Sequence, residues 1–210
     1  MAELFAATPG NNLPDPVNFN VCPTNQIAVA TSEEGQRRLQ PMRWGFLPHW
    51  YNAENGGPLL INARAETIAK KPAFKAAARA RRCLIPTMGF YEWTKTPDGA
   101  RNPWYITRAD GAPLVFAAVW QDWEREGRAH RTCAIVTCAA NAAMSAIHHR
   151  MPVILTLDSF GLWLGEEGHG AATVMKPTAE DALVWHRVDR TVNSNCASGP
   201  ELIQPLTSSD

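Results

Sequence analysis

Glu92 is the residue whose placement most asks for a chemical reason. It stands in "CLIPTMGFYEW" (residues 83–93), between Tyr91 and Trp93, at the end of a run that reads as a strand. Strand alternation puts Phe90 and Glu92 on one face and Tyr91 and Trp93 on the other. A carboxyl group in apolar surroundings has its pKa raised, because desolvation penalises the charged form, and a raised pKa suits a general acid or base near neutrality. The competing reading is an edge-strand Glu paired with one of the chain's arginines.

Further groups of the same kind recur. "INARAET" (61–67) sets Asn62, Arg64 and Glu66 on one face if the chain is extended there. The amide can orient an amine or a carbonyl, and the guanidinium offers a fork for phosphate. A polar strand end or a helix cap explains the same residues. In "IHHRMPVIL", His148 can shuttle protons near physiological pH, or simply stabilise a helix C-terminus. Adjacent histidines diverge, and no partner has zinc-site spacing, so neither a metal nor any other cofactor is expected. "KKPAFKAAARARR" (70–82) carries six cations and no acid, and a helix would set Lys75, Arg79 and Arg82 on one stripe that can meet phosphates or face solvent. Trp50 and Tyr51, in the Gly- and Asn-rich "LPHWYNAENGG", can stack on unpaired bases or pack the base of their loop. The five cysteines are scattered and odd in number, which reads as buried reduced thiols. Within a regular strand Cys133 and Cys138 point to opposite faces.

The elements that must position these residues are mostly strands: "QIAVATSE", "LQPMRWGFLP", "CLIPTMGFYEW", "WYITRA", "PLVFAAVWQDW", "RTCAIVTCAA" and "MPVILTL". Asp110-Gly111 between two apolar runs predicts a hairpin, with Pro113 placing its second strand near an edge. Helices are predicted over "MAELFAA", "KPAFKAAARAR", "NAAMSAIHH" with Asn141 as cap, "LDSFGLWLG" and "PTAEDALVW". No βαβ rhythm appears, so the expected class is α+β: a single compact domain whose curled, mostly antiparallel sheet forms a barrel-like core with peripheral helices. We expect that domain over residues 1–206 and a disordered tail at 207–210. At 210 residues, with 45% apolar and 19% charged, the chain has the composition of an ordinary globular domain. Its formal net charge of zero gives no global field for a polyanion, so any such partner must be held by a local cluster. No apolar run approaches a membrane span and no export signal is visible, which makes the cytoplasm the default and a membrane partner unexpected.

Taken in order, "NVCPTNQ", "MRWGFLPHW", "INARAET", "RRCLIPTMGFYEW", "IHHRMPVIL" and "ELIQPL" resemble the SOS response-associated peptidase family, whose members shield abasic sites in single-stranded DNA. Each tag is weak alone; six in fixed order are specific. The resemblance implies a mostly β domain with a positively charged cleft, acting as a monomer and associated with the nucleoid during DNA damage. It also implies a reaction in which an N-terminal cysteine, exposed by removal of Met, attacks the ring-opened sugar aldehyde and closes a thiazolidine crosslink. Asn62 would then position the α-amine, Glu92 would move its protons, and His148 would assist ring opening and the Schiff-base steps. Arg64 and Arg150 would hold phosphates, while Trp50, Tyr51 and Trp93 match stacking or wedging positions and Lys71 is a looser match. The same site would remove a short leader peptide.

The chain departs from that pattern at its start. Family members begin Met-Cys-Gly-Arg-Phe or a close variant, whereas "MAELFAATPG" looks like the middle of the helix that follows. Ala2 offers an amine but no thiol. Three explanations stand: a start placed too late, with the true one upstream; a member that only binds DNA; or another thiol in place of the missing one. We expect the first. Cys22 is a poor substitute, because it precedes Pro23 and has no free α-amine.

Overall fold

In the computed structural model, which describes residues 1–206, strands dominate as expected. The chain runs through α1 (Ala2–Phe5), β1 (Thr8–Pro9), β2 (Gln26–Glu33), β3 (Gln36–Trp44), β4 (Asn62–Arg64), α2 (Pro72–Ala80), β5 (Arg82–Thr87) and β6 (Phe90–Lys95). It continues through β7 (Arg101–Arg108), β8 (Leu114–Arg125), β9 (Arg128–Ala139), β10 (Arg150–Pro152), α3 (Phe160–Leu164) and β11 (Leu183–Arg187), with 3₁₀ turns between. The tail expected at 207–210 lies outside the described residues.

Two Glu-Gly pairs build the long hairpins. Glu34-Gly35 and Glu126-Gly127 each hold both residues at positive φ (52° and 77°; 51° and 77°), the hand of turn that matches strand twist. They join β2 to β3 and β8 to β9. The strand order β3-β2-β5-β8-β9 then closes into a five-stranded barrel, because β9 also pairs in parallel with β3 through Arg43↔Thr132 and Trp44↔Cys133. Beyond Ile135, β9 leaves β8 and is flanked instead by β4, in register Arg64↔Thr137, and by β10, in register Pro152↔Thr137. Three strands thus meet at Thr137, which positions the site.

A second sheet, β11-β7-β6, is antiparallel and lies against the barrel. Residues paired across antiparallel strands share a face, so Glu92, Trp104 and Arg187 form one row and Tyr91, Tyr105 and His186 the row behind it. The first face meets the barrel, with the Phe90 and Phe116 rings 5.6 Å apart. The second buries Tyr105, Val188, Val192 and Leu202 beneath a cover made by the segment around Phe19 and the C-terminal segment. Helices are peripheral. α2 starts on Pro72, whose missing N–H costs nothing in a first turn, and buries Phe74 against Phe46 at 5.1 Å. α3 buries Trp163, whose indole donates to the Cys83 carbonyl at 2.9 Å. No described helix is long and apolar enough to cross a membrane.

Several local expectations are corrected. Asp110-Gly111 is a turn but not a hairpin: β7 is already paired on both sides by β6 and β11, and β8 by β5 and β9, so the turn carries the chain from one sheet to the other. Only Gly111 takes positive φ there, and β8 is central rather than an edge. "CLIPTMGFYEW" is two strands in different sheets, split at Met88-Gly89. A Cβ on Gly89 would lie 2.4 Å from Tyr105 Cζ and 2.7 Å from the Ile106 carbonyl oxygen, so this crossing needs glycine. "PTAEDALVW" is not helical; its end is β11, recruited by the open edge of β7. "NAAMSAIHH" shrinks to the single 3₁₀ turn Met144–Ala146, with Asn141 Oδ1 accepting from the Met144 N–H. "MPVILTL" keeps pairing only through Pro152, apart from an isolated bridge at Ile154. Arg82 leaves the expected cationic stripe: it belongs to β5 and donates to the Trp163, Ala78 and Arg79 carbonyls, and burial pulls its pKa down. Cys83, Cys133 and Cys138 are buried, but Cys22 is only half-buried and Cys196 is exposed.

Candidate active site

Glu92 projects from β6 toward the barrel, its side chain 26% exposed. The ring beside it on that face is Trp104 of the paired strand, rather than its sequence neighbours Tyr91 and Trp93. Burial pushes the Glu92 carboxyl above its ordinary value, and the nearby His148 pulls the other way. His148 Nδ1 lies 3.7 Å from Glu92 Oε1, an ion pair when the imidazole is protonated.

His148 is placed by the 3₁₀ turn, since its N–H donates to the Met144 carbonyl at 3.1 Å. Its Nδ1 is 3.0 Å from the Arg150 carbonyl oxygen and accepts from the Arg150 N–H at 3.2 Å. A ring nitrogen that accepts this N–H when neutral can donate to the carbonyl or to Glu92 when protonated, so the geometry accommodates both protonation states.

Arg150 makes the strongest contact in the group. Its two terminal nitrogens grip the Glu66 carboxylate at 2.7 and 2.9 Å, and one of them also donates to the Thr137 carbonyl at 2.7 Å. Hydrogen bonding to Arg150 lowers the Glu66 pKa to about 2. Arg150 is therefore not a guanidinium open to phosphate: a phosphate there must share it with Glu66. Arg64 and Asn62 are exposed on β4, and among the described residues neither side chain makes a hydrogen bond. Arg64 is the open fork.

The segment leading into Asn62 is the loop 47–61. Trp50 is 44% exposed at its tip, with the His49 ring edge-on at 4.9 Å. Tyr51 is 8% exposed and packs with Leu47 and Trp123, its hydroxyl donating to the Pro58 carbonyl, so it supports the loop and offers no free ring face. Trp93 is half-buried and donates to Asn193 Oδ1 at 2.7 Å. Lys71 is exposed at the start of α2. The Cys22 sulfur contacts Asn20 and Asn195, not Glu92 or His148.

The structure thus joins Glu92, His148 and Arg150 through direct contacts, and sets Asn62 and Arg64 across β9 from Arg150. Glu66 and Thr137, which hold Arg150, were not singled out as site residues. Glu66 carried a hint, because an extended chain would set it on one face with Asn62 and Arg64, although β4 ends at Arg64 and Glu66 lies in the turn that follows; Thr137 is one of many β-branched residues in a strand and carried none.

This barrel, with an acid and a histidine facing each other at the end of β9, has relatives. Residues 1–195 match the model of the SOS response associated peptidase (SRAP) family. The chain belongs to that family. It is 34% identical over 191 residues to the abasic site processing protein YoqW of Bacillus subtilis, covering 89% of this chain and 85% of that protein. It is 32% identical over 200 residues to the abasic site processing protein YedK of Escherichia coli, covering 92% and 87%. A solved structure of a protein from Bacteroides thetaiotaomicron superposes with a TM-score of 0.77 at 26% identity, covering 88% of this chain and 82% of that one.

Proposed function

We propose that this protein senses abasic sites in single-stranded DNA and that, with a cysteine at its N-terminus in place of the Met1-Ala2 start, it captures them covalently as a thiazolidine. The observation that carries the reading is the raised-pKa carboxyl of Glu92 3.7 Å from His148, on a scaffold whose relatives are named for processing abasic sites.

The abasic sugar reacts as its open aldehyde. His148 passes a proton between the sugar oxygens as the ring opens. The α-amine, oriented by Asn62, adds to the aldehyde carbon. Glu92 takes the proton from nitrogen and returns one to the departing hydroxyl, so that water leaves and a Schiff base remains. The thiol sulfur then adds to the imine carbon while its proton goes to nitrogen. One water is lost overall. A carboxyl whose pKa is raised by burial is suited to both halves of that transfer. Arg64 holds a flanking phosphate, Arg150 keeps His148 in place while clamped to Glu66, and Trp50 stacks on an unpaired base, with Trp93 and Lys71 at the margin. The same groups would cleave a leader peptide ahead of the cysteine.

The test uses the chain beginning Met-Ala and a version extended upstream to begin Met-Cys-Gly-Arg-Phe, each incubated with single-stranded DNA carrying one abasic site. The extended protein should give an adduct that survives denaturation, and the chain beginning Met-Ala should give no thiazolidine. Salt-sensitive binding by the extended protein without an adduct overturns the crosslinking reading and leaves a non-covalent binder that uses Trp50 and the exposed Lys70, Lys71, Lys75 and Arg79.

A further inference from the structure

Two of the five cysteines play no part in the core or in the site, and they lie together. Cys22 ends the segment that covers the outer face of the second sheet, and Cys196 sits in the turn that covers it from the C-terminal side. The two segments are stitched to each other. Asn20 Nδ2 donates to the Ser194 carbonyl at 3.0 Å and to the Ala197 carbonyl at 3.1 Å, bracketing Cys196. The Cys22 sulfur is 3.7 Å from Asn195 Oδ1, on the residue immediately before Cys196. Both thiols are free.

We infer that Cys22 and Cys196 form a dithiol site that hydroperoxides convert to a reversible disulfide. Cys196 is exposed and is the sulfur an oxidant meets first. Its thiolate attacks the peroxide, the O–O bond breaks, hydroxide leaves, and Cys196 becomes a sulfenic acid. The Cys22 sulfur attacks that sulfenyl sulfur, the S–O bond breaks, and water departs with the Cys22 proton. The two thiols lose two electrons and two protons, and hydrogen peroxide is reduced to two waters. Half-burial and the neighbouring Cys196 push the Cys22 thiol up, which fits a resolving thiol rather than an attacking one. A disulfide needs its Cα atoms within about 7 Å; the contact between the Cys22 sulfur and the residue before Cys196 puts the two thiols on adjoining segments, and Ser194, Asn195 and Cys196 are exposed residues free of core packing that can move to close the bond. A transient bond of this kind is compatible with a reducing compartment.

The clasp has a structural reach. Tyr91 donates to the Phe19 carbonyl at 2.7 Å and Trp93 to Asn193 at 2.7 Å, so the residues on either side of Glu92 each hold one half of it. Oxidation ties these halves together across the back of β6. The inference does not depend on any DNA chemistry.

The test is titration of the full chain with hydrogen peroxide at one to five equivalents, followed by peptide mapping without reduction. One crosslinked peptide pair, Cys22 with Cys196, should appear with a mass loss of two hydrogens, vanish on treatment with dithiothreitol, and be absent from C22S and C196S. Hydrogen exchange in residues 19–22 and 193–197 should slow several-fold in the oxidised form. Sulfinic acid at Cys196 beside an unmodified Cys22, or Cys196–Cys196 dimers as the main product, would overturn the proposal. Because the serine variants remove no buried side chain from the core, their folding is checked by an unchanged thermal midpoint under reducing conditions. A C196A variant repeats the test if C196S shifts that midpoint.

Discussion

Glu92 costs the fold stability in order to be where it is. Its pKa is raised in the folded state, so the penalty is absent at low pH, where the carboxyl is protonated in both states. It appears as pH rises through the ordinary carboxylate value and is complete above the folded pKa. Glu92→Gln should therefore raise the thermal midpoint at pH 7 to 8, with the gain shrinking toward pH 4, while slowing adduct formation roughly 10²- to 10⁴-fold. A loss of stability at neutral pH would make Glu92 a structural residue. Glu66 behaves in the opposite sense. With its pKa depressed from 4.5 to about 2 by Arg150, the pair contributes stability above pH 4.5 that is lost as pH falls toward 2. Because the Glu66 side chain is half exposed, solvent screening keeps that contribution small. The advantage of the wild type over Glu66→Gln, read from thermal midpoints, should be present at pH 5 and largely lost by pH 2. Glu92 and His148 stood out in the sequence as candidates, the acid for its apolar flanks and the histidine for its residue type, but that they face each other follows only from the fold. The Glu66–Arg150 clamp was not, because two polar residues 84 positions apart give no local sign that they meet.

Among the elements, the β8–β9 hairpin acts as a rack for the loop that carries Trp50. Alternate residues of β8 donate to the loop backbone: Gln121 to the Leu47 carbonyl, Trp123 to the Tyr51 carbonyl at 3.0 Å, and Arg125 to the His49 carbonyl. From β9, His130 meets Glu54 at 3.0 Å. Trp123→Phe removes part of a buried ring and leaves the Tyr51 carbonyl without its donor, which should cost about 1–3 kcal/mol or more by denaturant unfolding and weaken binding of single-stranded DNA by loosening Trp50. Gly89→Ala drives a methyl into Tyr105 at the crossing between the sheets and should cost about 1–3 kcal/mol. The run across Gly89 reads as one strand because apolar residues continue through it, and periodicity does not say which sheet a strand joins. Asp110-Gly111 misled for the same reason. Its turn chemistry is genuine, but pairing is decided by which edges are already filled, and the edges of β7 are filled by the preceding strand β6 and by β11, which lies far along the chain.

At the scale of the whole molecule, the barrel class was readable from many short strands and few helices, and its closure was not. Closure rests on two residue pairs between β3 and β9, parallel and 89 positions apart at Arg43↔Thr132. If the proposed function holds, the neutral chain also sets how DNA is bound: with no global field, affinity must come from a few local cations such as Arg64 and those of α2. The slope of log affinity against log salt for undamaged single strands should therefore be shallow, about −0.7 for each phosphate neutralised, and should fall by about one such unit in Arg64→Ala. A slope unchanged by that substitution would remove Arg64 from the interface. The most direct measurement of the central claim is the denaturation-resistant adduct between single-stranded abasic DNA and the protein extended to begin Met-Cys-Gly-Arg-Phe, compared with its Glu92→Gln form. The account predicts an adduct that forms readily in the first and at least a hundredfold more slowly in the second, with DNA affinity equal in both. Equal rates of adduct formation in the two proteins would contradict it.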